Sequence, residues 1–324
     1  MNFKYTLDDK RYHTFNYYLK NKYHTKVAKI SLNAGFTCPN RDGKVGVGGC
    51  LFCSDSGSGD FAGDPRDDLM IQFDKVSQMM NQKWPDCKYI AYFQANTNTY
   101  GPLEKLKATF EPFVNKENVV GIDIATRPDC LTPEILDYLE DLSQRTDLWV
   151  ELGLQTIHEA SAKWFNRGYS LDAFEKALDE LRKRHIQICV HIINGLPVET
   201  KQMMLETVQY LSKKDIQGIK IHMLYVLKNT PIERYMIQNH LDFMSREDYI
   251  QLVVDQIEYI PDHVVIQRLT GDGKQDDLYG PLWSIKKVTI LNDITKEMKK
   301  RDTYQGFNLS ILNRSKQIIS NLVK

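Results

Sequence analysis

The sequence predicts an α/β fold in which βα units wrap a parallel sheet around a polar lumen, and two observations carry that prediction. From residue 29 onward, short apolar segments alternate with amphipathic helical ones, as they do where strands lie side by side under a layer of helices. Within those apolar segments, polar side chains recur at one parity. Parallel strands buried on both faces read as continuous apolar runs, so one face packs on helices and the other lines a cavity.

Residues 1–28, which include RYHTFNYYLKNKY, read as a helical lead-in whose aromatics and cations suit either a core edge or a nucleic-acid edge. Six strands follow, at 29–34, 89–95, 119–125, 148–154, 187–193 and 218–225. Their polar parity offers Lys29, Ser31 and Asn33, then Tyr92, Gln94 and Asn96, then Asp123, Glu151 and Gln155, His191, and finally Lys220 and His222. Between the third and fourth strands, Leu131-Thr132-Pro133-Glu134 sets a capping Thr before Pro at the first helical position, with Leu136, Leu139 and Leu142 on one face. Leu171, Phe174, Leu178 and Leu181 form a similar stripe before the fifth strand, and Met204, Val208 and Leu211 another before the sixth. These units make a barrel domain over 29–230. Beyond it the alternation weakens: helices at 245–259 and 281–301 flank a possible strand at 264–269, read as an extension over 231–324 that closes the barrel.

Composition bounds the function. Of 324 residues, 42% are apolar and 26% charged, with 18 Gly and 11 Pro, which excludes a disordered or collagen-like chain. No apolar run approaches the roughly 18 residues of a membrane span, and the start MNFKYTLDDKRYH lacks an apolar signal region; a cytoplasmic protein is expected, with no membrane partner. Lys plus Arg and Asp plus Glu balance at 42 each, so no overall positive field announces nucleic acid. Residues 1–30 carry +5 and residues 281–324 carry +6, leaving −11 between them. Basic ends on an acidic body are either solvated helix faces or a grip for a polyanion.

Six cysteines in a cytoplasmic chain of this size do not make a disulfide framework. Cys38, Cys50 and Cys53 fall within sixteen residues as C-x11-C-x2-C, in a glycine-rich loop directly after the first strand, whereas Cys87, Cys130 and Cys189 are scattered and suit packing. Three thiolates fit a cubane iron-sulfur cluster with one iron left open, or a zinc ion completed by a distant fourth ligand.

The cysteine loop, VELGLQTI after the fourth strand, NRGYS at the next helix entry and IINGLP after the fifth resemble the radical S-adenosylmethionine (SAM) superfamily. The long first cysteine spacing is similar to the branch of the Elongator catalytic subunit, and LTGDGKQDDLYGPLWS and RDTYQGF resemble the YtqA/YhcC-type family over essentially the whole chain. The resemblance implies a partial (βα)6 barrel, a [4Fe-4S] cluster on Cys38, Cys50 and Cys53, and SAM cleaved to a 5′-deoxyadenosyl radical. It implies an adenine contact from Phe52 and a methionine amino contact from the backbone around Gln94, Asn96 and Thr97, where QANT stands in place of two glycines and Glu. It further implies a ribose contact from Gln155, a carboxylate partner in Arg167, and an adenine region at Asn194 and Gly195. Glu151, His191, Lys220 and His222 are left facing the lumen to contact substrate or move protons.

For the substrate, the resemblance implies tRNA wobble-uridine maturation, taking 5-carboxymethylaminomethyl-2-thiouridine towards its aminomethyl form, with flavodoxin or ferredoxin as electron donor. Within the 324 residues no acetyltransferase domain of ordinary size is expected, so acetyl-group chemistry is not expected either. A radical enzyme acting on a small molecule and a non-catalytic, metal-dependent nucleic-acid-binding module are the alternatives. For tRNA, the expected grip is Lys286, Lys287, Lys299, Lys300 and Arg301, with Arg41 and Lys44 nearer the mouth.

Overall fold

Seven parallel strands form one sheet, the first six side by side in chain order and the seventh beside the sixth. The computed structural model describes residues 3–6, 8–54, 56–57, 59–271, 273 and 275–311. The strands are β1 (Val27–Leu32), β2 (Lys88–Phe93), β3 (Val119–Thr126), β4 (Asp147–Gln155), β5 (Gln187–Asn194) and β6 (Gly218–Met223), then β7 (Val226–Leu227), β8 (Val265–Arg268) and β9 (Leu278–Gly280). The two short strands β7 and β9 pair antiparallel beside the main sheet. Six strands lie where the sequence puts them, and the possible strand at 264–269 becomes the seventh, β8, pairing parallel with β6.

Helices flank the sheet. They are α1 (Phe15–Tyr23), α2 (Leu69–Lys83), α3 (Leu103–Val114), α4 (Pro133–Arg145), α5 (Glu159–Trp164), α6 (Leu171–Lys183), α7 (Lys201–Leu211), α8 (Pro231–Gln238), α9 (Arg246–Tyr259) and α10 (Lys287–Lys300). Their starts follow from capping: Thr132, Ser170, Thr200 and Ser245 each accept a backbone N–H from the first turn, which typically stabilises a helix by about 1 kcal/mol. The stripes Leu136/Leu139/Leu142, Phe174/Leu178/Leu181 and Met204/Val208/Leu211 are buried. All of these but Met204 pack in one core with the opposite parity of the strands, Ile30, Leu32, Ile122, Ile124, Val150, Leu152, Ile219 and Ile221. A register slip of one residue would carry that whole apolar set into the lumen.

Two differences from the sequence reading affect the site. The helix expected at 281–301 begins only at Lys287; a short 3-10 turn, Leu282–Ile285, precedes it, held where the Trp283 Nε1–H donates to the Met244 carbonyl at 3.1 Å. One face of the lead-in helix α1 is core: Tyr18 OH donates to Gln187 Oε1 at 3.0 Å, and the Phe15 and Tyr18 rings meet buried Trp149 edge-on. Here α1 closes one end of the lumen.

Candidate active site

The loop between β1 and α2 carries the three thiols. It turns tightly because Gly48 and Gly49 adopt φ of 82° and 83°, which costs glycine little. The Cys38 carbonyl accepts the Arg41 N–H at 2.8 Å and the Cys50 carbonyl accepts the Cys53 N–H at 3.0 Å. Asn40 Nδ2–H donates to the Asn166 carbonyl and lies 3.7 Å from Cys50 Sγ. The Cys50 thiol is held well above its ordinary range, first by its hydrogen bond with Cys53 and then by burial, so these sulfurs converge. Cys38, Cys50 and Cys53 all face one cavity of about 210 Å³.

The cavity's far wall is the polar parity of the sheet. Buried Glu151 is its hub: Lys29 Nζ donates to Oε1 at 2.8 Å, while Tyr92 OH and His191 Nε2, each at 2.7 Å, and Lys220 Nζ donate to Oε2. Lys29 also binds Asp123 and Gln267. Burial alone would raise the Glu151 carboxyl, but Lys220, Lys29 and His191 overcome it and hold the group well below the ordinary range. Asp123 is pushed up to about 7 by burial and by Glu151. Burial brings Lys220 down to about 8 against the pull of Glu151, and takes His191 down to about 4. His222 is likewise depressed, by burial and then by His191.

These charges fix the imidazole tautomers. An ionised carboxylate only accepts, so His191 Nε2 carries the proton, and its bare Nδ1 accepts from His222 Nε2 at 3.3 Å. His222 Nδ1 is then the acceptor end of a His222–His191–Glu151 chain.

Of the residues singled out in the sequence, Cys38, Cys50, Cys53, Phe52, Gln94, Asn96, Thr97, Gln155, Glu151, His191 and His222 all line this cavity. Phe52 packs on Phe165 with ring centroids 5.2 Å apart. Asn96 has φ 60° and approaches Gly57 so closely that a Cβ there would lie 1.9 Å from its Oδ1. Gln155 sits at a register shift between β4 and β5 with φ 63°, its Oε1 accepting from Tyr169 OH at 3.0 Å. Lys220 stands behind Glu151, buried.

Arg167, Asn194 and Gly195 are not among the residues that line this cavity. The Arg167 guanidinium turns inward and donates to the carbonyls of Leu154, Thr156 and Tyr169 and to Glu159. Its donors are spent on the backbone, because the irregular end of β4 presents carbonyls that need them. Asn194 and Gln256 exchange hydrogen bonds at 2.7 and 2.9 Å, tying β5 to α9. Gly195 has φ 87°, a backbone requirement.

Sequence reasoning missed Arg127 and Arg268, which also line the cavity. Arg127 Nη1 lies 4.0 Å from Cys38 Sγ and donates to the Arg167 carbonyl at 2.9 Å, with Asp129 as its ion-pair partner. An arginine directly after β3 was the available signal. Three cations of the expected basic grip are ion-paired: Lys299 with Asp9, Lys300 with Glu297, and Arg301 with Asp255 and Glu297. Arg314, Lys316 and Lys324 of that basic end lie outside the described residues.

Comparison with known proteins settles the family. Residues 37–211 match the radical SAM superfamily and residues 216–300 match the radical SAM C-terminal domain. The chain belongs to the radical SAM superfamily. This radical SAM protein is 50% identical to YtqA of Bacillus subtilis (strain 168) over 304 residues, covering 94% of each chain. It is 25% identical to the tRNA uridine(34) acetyltransferase of Dehalococcoides mccartyi (strain CBDB1) over 185 residues, 56% of this chain and 39% of that one. Its fold is similar to the archaeal Elp3 of Methanocaldococcus infernus, with a TM-score of 0.64 at 18% identity, over 87% of this chain and 64% of the other.

The residues fit the cofactors that the superfamily implies, a [4Fe-4S] cluster and SAM. Three thiols face the cavity, while Cys130 turns its thiol to Asp129 and Cys87 its own to the Lys88 carbonyl. A three-thiolate set leaves one iron of a cubane open. Among the described residues, no helix is long and apolar enough to cross a membrane.

Proposed function

We propose that this radical SAM enzyme matures the wobble uridine of tRNA, taking a 5-carboxymethylaminomethyl group to its aminomethyl form. The observation that supports this reading is the likeness to the tRNA uridine(34) acetyltransferase, joined to a lumen whose polar groups are already arranged around one cavity. A wobble base reaches such a cavity at small cost, because anticodon loops present unstacked bases.

Cys38, Cys50 and Cys53 would hold the cluster, and Phe52, Gln94, Asn96, Thr97 and Gln155 would surround SAM from the same wall. When bound, the cluster and SAM supply a 5′-deoxyadenosyl radical that removes hydrogen from an unactivated carbon. The chain's own residues position and exclude. Phe52 and Phe165 keep water from the thiol loop. Glu151, fixed by two lysines and Tyr92, holds His191 in one tautomer, so that His222 Nδ1 can take a proton from the substrate. On the substrate, the methylene between nitrogen and carboxylate would give up a hydrogen atom to that radical and then one electron to a one-electron acceptor, for which the oxidised cluster would serve, while the nitrogen gives up its proton. Water then splits the imine into the aminomethyl base and glyoxylate. Arg167 stabilises the loop beside this chemistry without touching SAM. Exposed Lys44 and Lys286 remain to meet the tRNA backbone. The same reading places the enzyme in the cytoplasm with reduced flavodoxin or ferredoxin.

The test is mass spectrometry of tRNA nucleosides from a strain lacking the gene. The carboxymethylaminomethyl form should accumulate and the forms derived from it should fall. An unchanged modified-uridine profile overturns the tRNA reading.

A further inference from the structure

Around Glu151, each buried cation but one is answered. Lys29 meets Asp123 and Glu151, and Lys220 meets Glu151. Arg127, on the neighbouring wall, meets Asp129. Arg268, at the end of β8, lines the same cavity and has no hydrogen bond or ion pair to its guanidinium among the described residues. Asp60, another carboxylate on the wall, is taken by the hydroxyls of Ser54 and Ser56 and reaches Tyr225 OH at 3.4 Å. Lys29 and Lys220 thus stand beside Asp123 and Glu151, whereas Arg268 has no carboxylate at ion-pair distance among the described residues.

The placement is specific. Arg268 pairs in register with Lys220 across β6 and β8, and its charge acts on His222, His191, Tyr92 and Tyr225. It therefore stands at the edge of the wall that presents the histidine chain. A half-buried guanidinium on a wall shared with imidazole and phenol groups, with no carboxylate partner among the described residues, has lost water without gaining a counter-charge, a state that an incoming anion relieves. Its planar fork matches a carboxylate in two parallel hydrogen bonds, which a lysine cannot do.

We propose that Arg268 is the anchor for the substrate's carboxylate: its guanidinium takes an anionic group on the reacting substituent and sets the adjacent carbon beside His222. The proposal rests on the tRNA reading only for which molecule bears the carboxylate. It adds a substrate-binding residue contributed by β8, beyond the six strands that carry the rest of the lumen's polar face.

Two measurements test it on the full chain, reconstituted with its cluster and supplied with SAM. In the first, arginine modification by phenylglyoxal is mapped by peptide mass spectrometry, with N-methylglycine or inorganic phosphate as protectant. N-methylglycine should slow modification at Arg268 and not at exposed arginines; equal or better protection by phosphate makes the site a phosphate seat and overturns the carboxylate assignment. In the second, binding is compared for anticodon stem-loops carrying 5-carboxymethylaminomethyluridine or 5-aminomethyluridine. The parent should prefer the carboxylate form by on the order of 10- to 100-fold, Arg268→Gln should bind both alike, and Arg268→Lys should fall between, all with unchanged SAM affinity. Loss of SAM affinity in Arg268→Gln assigns the guanidinium to SAM and overturns the proposal, as does undiminished preference in that variant. Protection of Arg268 by N-methylglycine, with neither stem-loop bound by the parent, keeps the anchor and removes tRNA as the substrate.

Discussion

Glu151→Gln keeps the shape of the hub and removes its charge, leaving Lys29 and Lys220 with Asp123 alone. Removing one partner of a buried ion pair typically costs about 3 to 5 kcal/mol, and here the cost should depend on pH in a defined direction. Lys220, at about 8 in the parent, owes that value to Glu151 pulling against burial; without the carboxylate it must fall further. In both chains the unfolded lysine stays protonated up to its ordinary 10.5. Between the variant's lower pKa and about 8, the folded variant has lost a proton that its unfolded state keeps. Its stability therefore climbs by about 1.4 kcal/mol per pH unit while the parent's does not. Asp123 acts with the same sign. The folded parent holds this proton up to about 7, partly because Glu151 repels the ionised form, and so loses stability as pH rises towards that value. The variant's Asp123 titrates lower and does not. Both groups make the stability gap widest in mild acid and narrowest above about pH 8. Urea unfolding of the cluster-free chains, followed by circular dichroism from about pH 6 to about pH 9, measures the gap directly. A gap that is flat or widens with pH would refute the coupling of Glu151 to Lys220 and Asp123.

Cys50→Ala should lose iron and sulfide together on anaerobic reconstitution, because Cys50 is one of the three thiols on the cavity wall. Iron and sulfide at the parental ratio, or stoichiometric zinc under iron-replete conditions, would contradict the assignment. Arg167→Lys should lower stability by on the order of 2 to 4 kcal/mol, since lysine cannot serve four acceptors from a planar fork. The affinity of its folded, cluster-loaded form for SAM should stay at the parental value. Weakened SAM binding at an unchanged melting temperature would return Arg167 to the cofactor.

The lumen was legible because a strand's side chains alternate with period two. Once Ile30, Ile122, Val150 and Ile219 are given to the helices, Lys29, Tyr92, Asp123, Glu151, His191, Lys220 and His222 must share the other face, and the parallel register brings them together. The thiol loop was legible by spacing alone. What the pattern hid has local causes. At the end of β4, Glu151 and Gln155 keep one parity in the sequence, but the register shift and the positive φ at Gln155 re-aim its side chain. The same irregularity turns the Leu154 and Thr156 carbonyls to Arg167, a demand that no spacing of residue types announces. Two arginines near the thiols were therefore indistinguishable in the sequence, although one serves the backbone and the other, Arg127, reaches Cys38. Arg268 was hidden by topology: α8 and α9 separate β8 from β6, so the strand lacks the strand–helix rhythm that marked the other six. Its cation stands out only when each lysine's carboxylate partner is known, which is a property of the folded lumen as a whole.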